Sequence, residues 1–147
     1  MEMVVSGMTT AEDFADWNRA VVEEFRANGG RVGGQFGGSD MILIHHVGAR
    51  TGQTRVNPLV FFPDGDRMII MASKGGAPTH PAWYHNLKAN PKITVEVGTE
   101  TFPVEVTELV GDERDALWAR IVERMPGFGD YQRNTTRTIP LLALTRI

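Results

Sequence analysis

Val56-Asn57-Pro58-Leu59-Val60-Phe61-Phe62-Pro63-Asp64-Gly65-Asp66-Arg67-Met68-Ile69-Ile70-Met71-Ala72 decides the fold. Two apolar and β-branched runs, 56–62 and 67–72, flank Pro63-Asp64-Gly65-Asp66, whose residue types supply turn chemistry. So short a connection joins antiparallel strands, because parallel neighbours need a crossover of a dozen or more residues. The stretch therefore argues against a Rossmann unit.

Upstream, Met41 to Val47 reads as a further strand, giving three in succession. Downstream, Pro81 to Asn90 reads as a short helix, started by a proline in its first turn and stopped at Asn90-Pro91. Ile93 to Val97 and Thr101 to Val110 follow as two strands around a turn at Gly98, and Ile139 to Leu144 is the last. Asp112 to Met125 has helical apolar spacing in Leu117, Ile121, Val122 and Met125, and Pro126-Gly127 ends it. A polar, aromatic-bearing segment, Phe128 to Thr138, leads into the last strand. At the N-terminus, Thr9-Thr10-Ala11-Glu12 has capping-box spacing, and Phe14, Trp17, Val21 and Phe25 then mark an amphipathic helix ending near Asn28. Residues 29–38 contain six glycines but no dinucleotide fingerprint, since the strand, turn and helix order is missing. About six mostly antiparallel strands with three helices predict an α+β chain, a small β-barrel with helices packed outside.

A length of 147 residues with 41% hydrophobic and 22% charged content suits a single domain spanning 1–147, with 1–38 as N-terminal helix and glycine-rich connector. No apolar run approaches the ~20 residues of a membrane-spanning helix, and no secretory signal pattern opens the chain, so the expected compartment is the cytoplasm. Glu12, Asp13, Asp16, Glu23 and Glu24 on the first helix argue against attraction to anionic lipid. The absence of cysteine removes thiol nucleophiles and thiolate-held clusters, so redox chemistry would have to come from a bound cofactor. The net charge of -3 argues against general nucleic-acid binding. It is unevenly distributed: residues 41–98 carry six cations against three anions.

Two loops in that basic stretch carry the chemistry. Gly48-Ala49-Arg50-Thr51-Gly52 and Ser73-Lys74-Gly75-Gly76 each follow a strand and place a cation among small residues, which is how a chain presents N–H groups and charge to an anion. Trp83 and Tyr84 add flat apolar surface beside them. Together these features point to a large anionic cofactor. No metal site is expected, because His45 and His46 are adjacent in a strand and point to opposite faces, and no carboxylate-rich cluster joins His80 and His85. Ser73 lacks the Gly-x-Ser-x-Gly elbow of serine hydrolases.

Three blocks, 47–59, 72–77 and 81–91, together with a fourth made of Pro126 to Tyr131 and Arg137-Thr138-Ile139-Pro140, resemble the deazaflavin-dependent nitroreductase family. Those flavin/deazaflavin oxidoreductases have the split β-barrel fold. The resemblance implies binding of reduced 8-hydroxy-5-deazaflavin, coenzyme F(420), and delivery of its hydride to an organic acceptor. It further implies that Ala49, Arg50 and Thr51 form a first phosphate loop, and that Arg55, Val56, Asn57, Pro58, Leu59 and Val60 form a strand whose backbone faces the ring. Met71, Ala72, Ser73 and Lys74 match a second basic loop; Ala82, Trp83, Tyr84, His85 and Asn86 match a helix start beside the cofactor; Phe128 stands where a family tyrosine contacts it.

Ser73 and Tyr131 are the candidate proton donors after hydride arrival, with water as competitor because both segments are expected to meet solvent. The chain departs from many relatives in having one cation in the first loop and in replacing a tyrosine-rich wall with Met125, Phe128 and Tyr131. The more apolar pocket favours activated alkenes such as enones, lactones and coumarin-like rings, or quinones, over nitro-aromatics. Two other readings stay open, a cofactor-storage protein without turnover and an FMN-dependent reductase on the same barrel. A monomer or a homodimer is expected.

Overall fold

In the computed structural model, residues 11–33 and 39–147 are described, with the backbone alone for 11–15. The capping box at 9–12, Phe14 and residues 34–38 of the connector therefore fall wholly or partly outside the described residues. Helix α1 (Ala11–Ala27) precedes β1 (Met41–Val47), β2 (Thr54–Asp64) and β3 (Arg67–Met71). A 3-10 turn (Lys74–Gly76), helix α2 (Ala82–Ala89), β4 (Lys92–Val97) and β5 (Glu100–Leu109) come next. Helices α3 (Gly111–Arg124) and α4 (Gly127–Arg133) then lead to β6 (Leu141–Arg146).

The strands close into a barrel in the order β1-β2-β3-β6-β5-β4, and every pairing is antiparallel. The expected hairpin sits at its centre, with Phe61 opposite Ile70 and Asp64 opposite Arg67. Gly65 takes a positive φ of 59° at the tip, a conformation open to glycine without a side-chain clash. Asp64 holds the hairpin to α3, accepting from Arg67 at 2.7 Å and Arg120 at 3.1 Å.

Alternation along the strands divides the core in two. Ile42 and Ile44 of β1 join Leu59, Phe61, Ile70 and Leu142 in an interior cluster, into which α2 inserts Trp83 and Leu87. Met41 and Leu43 belong instead to a second cluster with Val60, Phe62 and Met71, which takes Val21, Val22 and Phe25 from α1, Leu117 and Ile121 from α3, and Phe128 from α4. Burying an apolar side chain of this size is worth about 1.5–3 kcal/mol, so each helix is held mainly by its apolar stripe. Helix α1 gains a polar tether as well: Arg26 donates twice to Glu96, at 3.1 and 2.7 Å, and His45 Nε2 lies 2.6 Å from the same carboxylate.

One feature that positions the site is a mismatch of strand lengths. β2 has 11 residues and β3 has 5, so β3 pairs with residues 61–64 while 54–60 pair with β1 alone. Phe61 N–H donates to Asp40 O, and antiparallel alternation then directs the main-chain groups of Val56 and Pro58 to the opposite, unpaired edge. Pro58 has no N–H to lose there, which suits a strand edge.

Among the described residues four α-helices are present where three were expected, because Gly127–Arg133, most of it in the polar, aromatic-bearing segment, is helical. Pro126, Gly127 and Gly129 argue against a helix by propensity, and seven residues form too short a helix to stand alone. Packing overrides this: Phe128 and Gly129 are buried, and a Cβ at Gly129 would meet Val122 Cγ1 at 3.1 Å.

The Arg26 guanidinium and His45 hold the Glu96 carboxyl below its ordinary value against the opposing effect of burial. A carboxyl lowered in the folded state stabilises above its unfolded value and loses that contribution as the pH falls through the folded one. We expect the melting temperature of Glu96→Gln to lie below that of the unaltered protein at neutral pH, and the gap to close on acidification below about 4.5. Parallel melting curves carried into strong acid would contradict this role.

Candidate functional site

The unpaired edge of β2 is flanked by the two loops singled out in the sequence. In the first, Gly48 N–H donates to Gln53 O and Gly52 N–H to Gly48 O, each at 2.9 Å, which pulls the loop into a closed turn. A Cβ at Gly48 would stand 2.5 Å from Thr51 Oγ1, so a side chain there would require Thr51 to turn away. Ala49 N–H is tied to Asn86 Oδ1 of α2 at 2.9 Å. The N–H groups of Arg50 and Thr51 have no acceptor among the described residues, and both side chains are exposed.

In the second loop the chain leaves β3 through Ser73 in the right-handed region, at φ -78° and ψ -37°. It then turns left-handed at Lys74 (φ 47°), Gly75 (φ 63°) and Gly76 (φ 84°). Lys74 is the one non-glycine residue with positive φ among the described residues, a conformation that costs about 1–3 kcal/mol and concentrates at ligand sites. A right-handed residue followed by a left-handed one points successive N–H groups into a common concavity suited to an anion. The N–H groups of Ser73, Lys74 and Gly75 find no acceptor among the described residues.

Arg137 holds this loop in place. Its guanidinium donates to the carbonyls of Ser73 at 2.7 Å, Ala77 at 2.9 Å and Ala72 at 3.1 Å, and to His80 Nδ1 at 3.0 Å. With those carbonyls gathered on one side, the loop's N–H groups are left to the other. Accepting at Nδ1 leaves the His80 proton on Nε2, and burial with the adjacent Arg137 charge pushes its pKa down. Gln132 sets Arg137 in turn, donating to Arg137 O at 2.7 Å and accepting from Ile139 N–H at 3.0 Å.

The charges around the loops are unpaired. Arg26, Arg67, Lys88 and Arg120 each meet a carboxylate within 3.1 Å. Among the described residues Arg50, Arg55 and Lys74 meet none, and Lys74 Nζ reaches only Thr79 Oγ1, at 3.5 Å.

The structure brings the Ala49–Thr51 loop, Asn57 and Asn86 into one region, linked through a residue the sequence reading did not single out: His46 bonds Asn86 on one side and Asn57 on the other. Leu59, Val60, Met71, Ala72 and Phe128 are sealed in the two cores. Trp83 is 1% exposed within the interior cluster. It fills the barrel and gives no flat surface to a ring, which corrects that expectation. Tyr84 directs its hydroxyl to Glu108 at 2.8 Å, and burial together with that carboxylate pushes its pKa up to about 12. Tyr84 thus ties α2 to β5, while Ala82 and His85 are exposed. Ser73 has no exposed surface and its Oγ has no partner, so the expectation that it meets solvent is corrected too. Tyr131 is half-buried and edge-on to Phe128, with ring centroids 5.5 Å apart.

An antiparallel barrel with one strand edge left unpaired between two cationic loops has the form of a split barrel. Comparison with known proteins gives the same class. Residues 17–146 match the model of the F(420)H(2)-dependent quinone reductase family. A curated F(420)H(2)-dependent quinone reductase of Mycobacterium tuberculosis (strain ATCC 25618 / H37Rv) is 40% identical over 126 residues, covering 83% of this chain and 85% of that protein. The solved structure of an F(420)-H2 dependent reductase (FDR-A) superposes with a TM-score of 0.65 at 38% identity, over 71% of this chain and 93% of that one. A second solved structure, described as a domain-swapped dimer, gives a TM-score of 0.67 at 35% identity over 88% and 98% of the two chains. The chain belongs to the F(420)H(2)-dependent quinone reductase family, a family of deazaflavin-dependent enzymes. Among the described residues no helix is long and apolar enough to cross a membrane.

Lysine at position 137 would keep a charge but could not gather three carbonyls in a planar fork. In Arg137→Lys we expect the Gly76 and Ala77 amides, which close the turn onto Ser73 O and Lys74 O, to exchange with solvent at least about tenfold faster while core β3 amides hold. Uniform acceleration across the barrel would instead make Arg137 a general stabiliser.

Proposed function

We propose that the open edge of β2 and its two loops bind reduced coenzyme F(420), and that the chain directs its hydride to a quinone or an activated alkene such as an enone, lactone or coumarin-like ring. The observation that carries this is the second loop, where the unsatisfied N–H groups of Lys74 and Gly75 lie beside an unpaired lysine side chain. An anionic phosphate or carboxylate tail satisfies both at once through charge-assisted hydrogen bonds. Arg50 and the free N–H groups of the first loop offer a second such position. The residues present therefore fit an extended anionic cofactor, with Arg50, Thr51 and Lys74 holding its acidic part and the partly exposed Val56 and Asn57 of β2 bordering its ring.

When bound, the reduced deazaflavin supplies a hydride. The chain's own work is orientation, exclusion of water and supply of a proton. Val56, Met125 and Tyr131 lie partly exposed against the outer core cluster, which favours an apolar ring as acceptor. Negative charge that develops on such an acceptor is stabilised by a hydrogen-bond donor. Tyr131 is the donor we propose, because its half-buried phenol stands edge-on to Phe128 on that partly exposed apolar surface. Ser73, sealed from solvent, is poorly placed for that role.

Lys74→Ala should weaken binding of the reduced coenzyme at least about tenfold with little change in melting temperature; a large thermal loss with affinity intact would refute the phosphate role. Tyr131→Phe should lower turnover of reduced coenzyme against a quinone and an enone while affinity for the coenzyme holds. Turnover equal to that of the unaltered chain would return protonation to water.

A further inference from the structure

Ala49, Asn86, His46 and Asn57 form one unbranched chain of hydrogen bonds between the first loop, α2 and β2. Ala49 N–H donates to Asn86 Oδ1 at 2.9 Å, Asn86 Nδ2 lies 3.0 Å from His46 Nδ1, and His46 Nε2 lies 2.8 Å from Asn57 Oδ1. Its first member sets the direction of every bond. A main-chain N–H only donates, so the Asn86 oxygen accepts and Asn86 Nδ2 must donate to His46 Nδ1. An imidazole that accepts at Nδ1 carries its proton on Nε2, which therefore donates to Asn57 Oδ1. The NH2 of Asn57 is left over: no described residue accepts from it, and it is not among the buried polar atoms sealed without a partner. His46 is 2% exposed, and its burial, with Arg55 and His45 nearby, lowers its pKa and keeps the neutral form that the chain of bonds requires.

A histidine that only filled the barrel mouth would need none of this directionality. We propose that His46 is a positioning residue of the site: by holding a single tautomer it ties the first loop, through Asn86, to the strand bordering the groove. On its other side it turns the Asn57 amide so that the NH2 is free to donate to a carbonyl oxygen or ring nitrogen of a heteroaromatic ligand. The ligand half of this assignment rests on the deazaflavin reading above, and the tautomer half stands without it. Because Ala49 and Asn57 belong to different elements, the first loop and β2, one imidazole bears on both.

The full chain labelled with 15N at histidine tests the first half without any ligand. His46 is expected to show a protonated Nε2 and an unprotonated Nδ1 at neutral pH, and the opposite tautomer or a charged ring overturns the relay. The second half is tested by titrating coenzyme F(420) into the unaltered chain and into Asn57→Asp, whose carboxylate still accepts from His46 Nε2 but presents an oxygen where the NH2 was. Affinity is expected to fall at least about tenfold with the melting temperature held, and unchanged affinity overturns the donor role. Should Asn57→Asp fold poorly, Asn57→Ser, which also removes the NH2, gives the same reading. If the unaltered chain binds no coenzyme, the ligand half falls with the functional reading, and the tautomer still decides the relay.

Discussion

An eleven-residue strand beside a five-residue neighbour is the constraint on which the rest of this molecule depends. Had β3 run the length of β2, the barrel would be sealed and the main chain of 56–60 consumed in pairing. Instead the chain leaves β3 at Ala72 and turns sharply at Ser73 and Lys74, so half of β2 keeps an unpaired edge. Open edges with unsatisfied main-chain groups are a liability in most folds. Here the edge is bordered by loops whose own N–H groups are free, so one ligand can satisfy edge and loops together.

Holding that geometry takes two polar devices, one for each loop. Arg137 gathers the carbonyls of the second loop, and because a guanidinium offers five fixed donors it can hold four acceptors that no single lysine could. Asn86 and His46 do the equivalent for the first loop, where bonds of fixed direction run from Ala49 to Asn57. Asn86 and His46 are buried, so a missing partner there would leave a polar group uncompensated at a cost of about 1–3 kcal/mol, whereas Arg137 is half-buried. The result is a pair of loops preorganised for charge, and Arg50, Arg55 and Lys74 remain without a carboxylate among the described residues in a chain whose net charge is -3.

Much of this was legible in the sequence because it is local. The turn at 63–66 fixed the antiparallel hairpin, and the glycine-flanked cations at 48–52 and 73–76 marked both loops; the order of four blocks carried the family. What was illegible depends on contacts distant in the chain. Trp83 reads equally well as a ring platform or a core filler, and only its insertion beside Ile42 and Leu142 decides. Arg137 stood inside a recognised block, but its partners are main-chain carbonyls some sixty residues away, which no side-chain pattern signals. His46 was set aside as half of an adjacent pair when metal ligands were weighed, while its bonds to Asn57 and Asn86 needed the barrel to be closed. Helix α4 is held by packing against Val122 and defeats propensity for the same reason.

Calorimetric titration of the full chain with reduced coenzyme F(420), and separately with FMN, tests the central claim most directly, since both carry a phosphate but only the former adds an extended acidic tail for the second cationic loop. Tight binding of the deazaflavin, micromolar or better at about -8 kcal/mol, weaker binding of FMN, and loss of both with rising salt are the expected results. Preference for FMN, or deazaflavin binding indifferent to salt, would contradict the account of the two loops as a site built for an anionic deazaflavin.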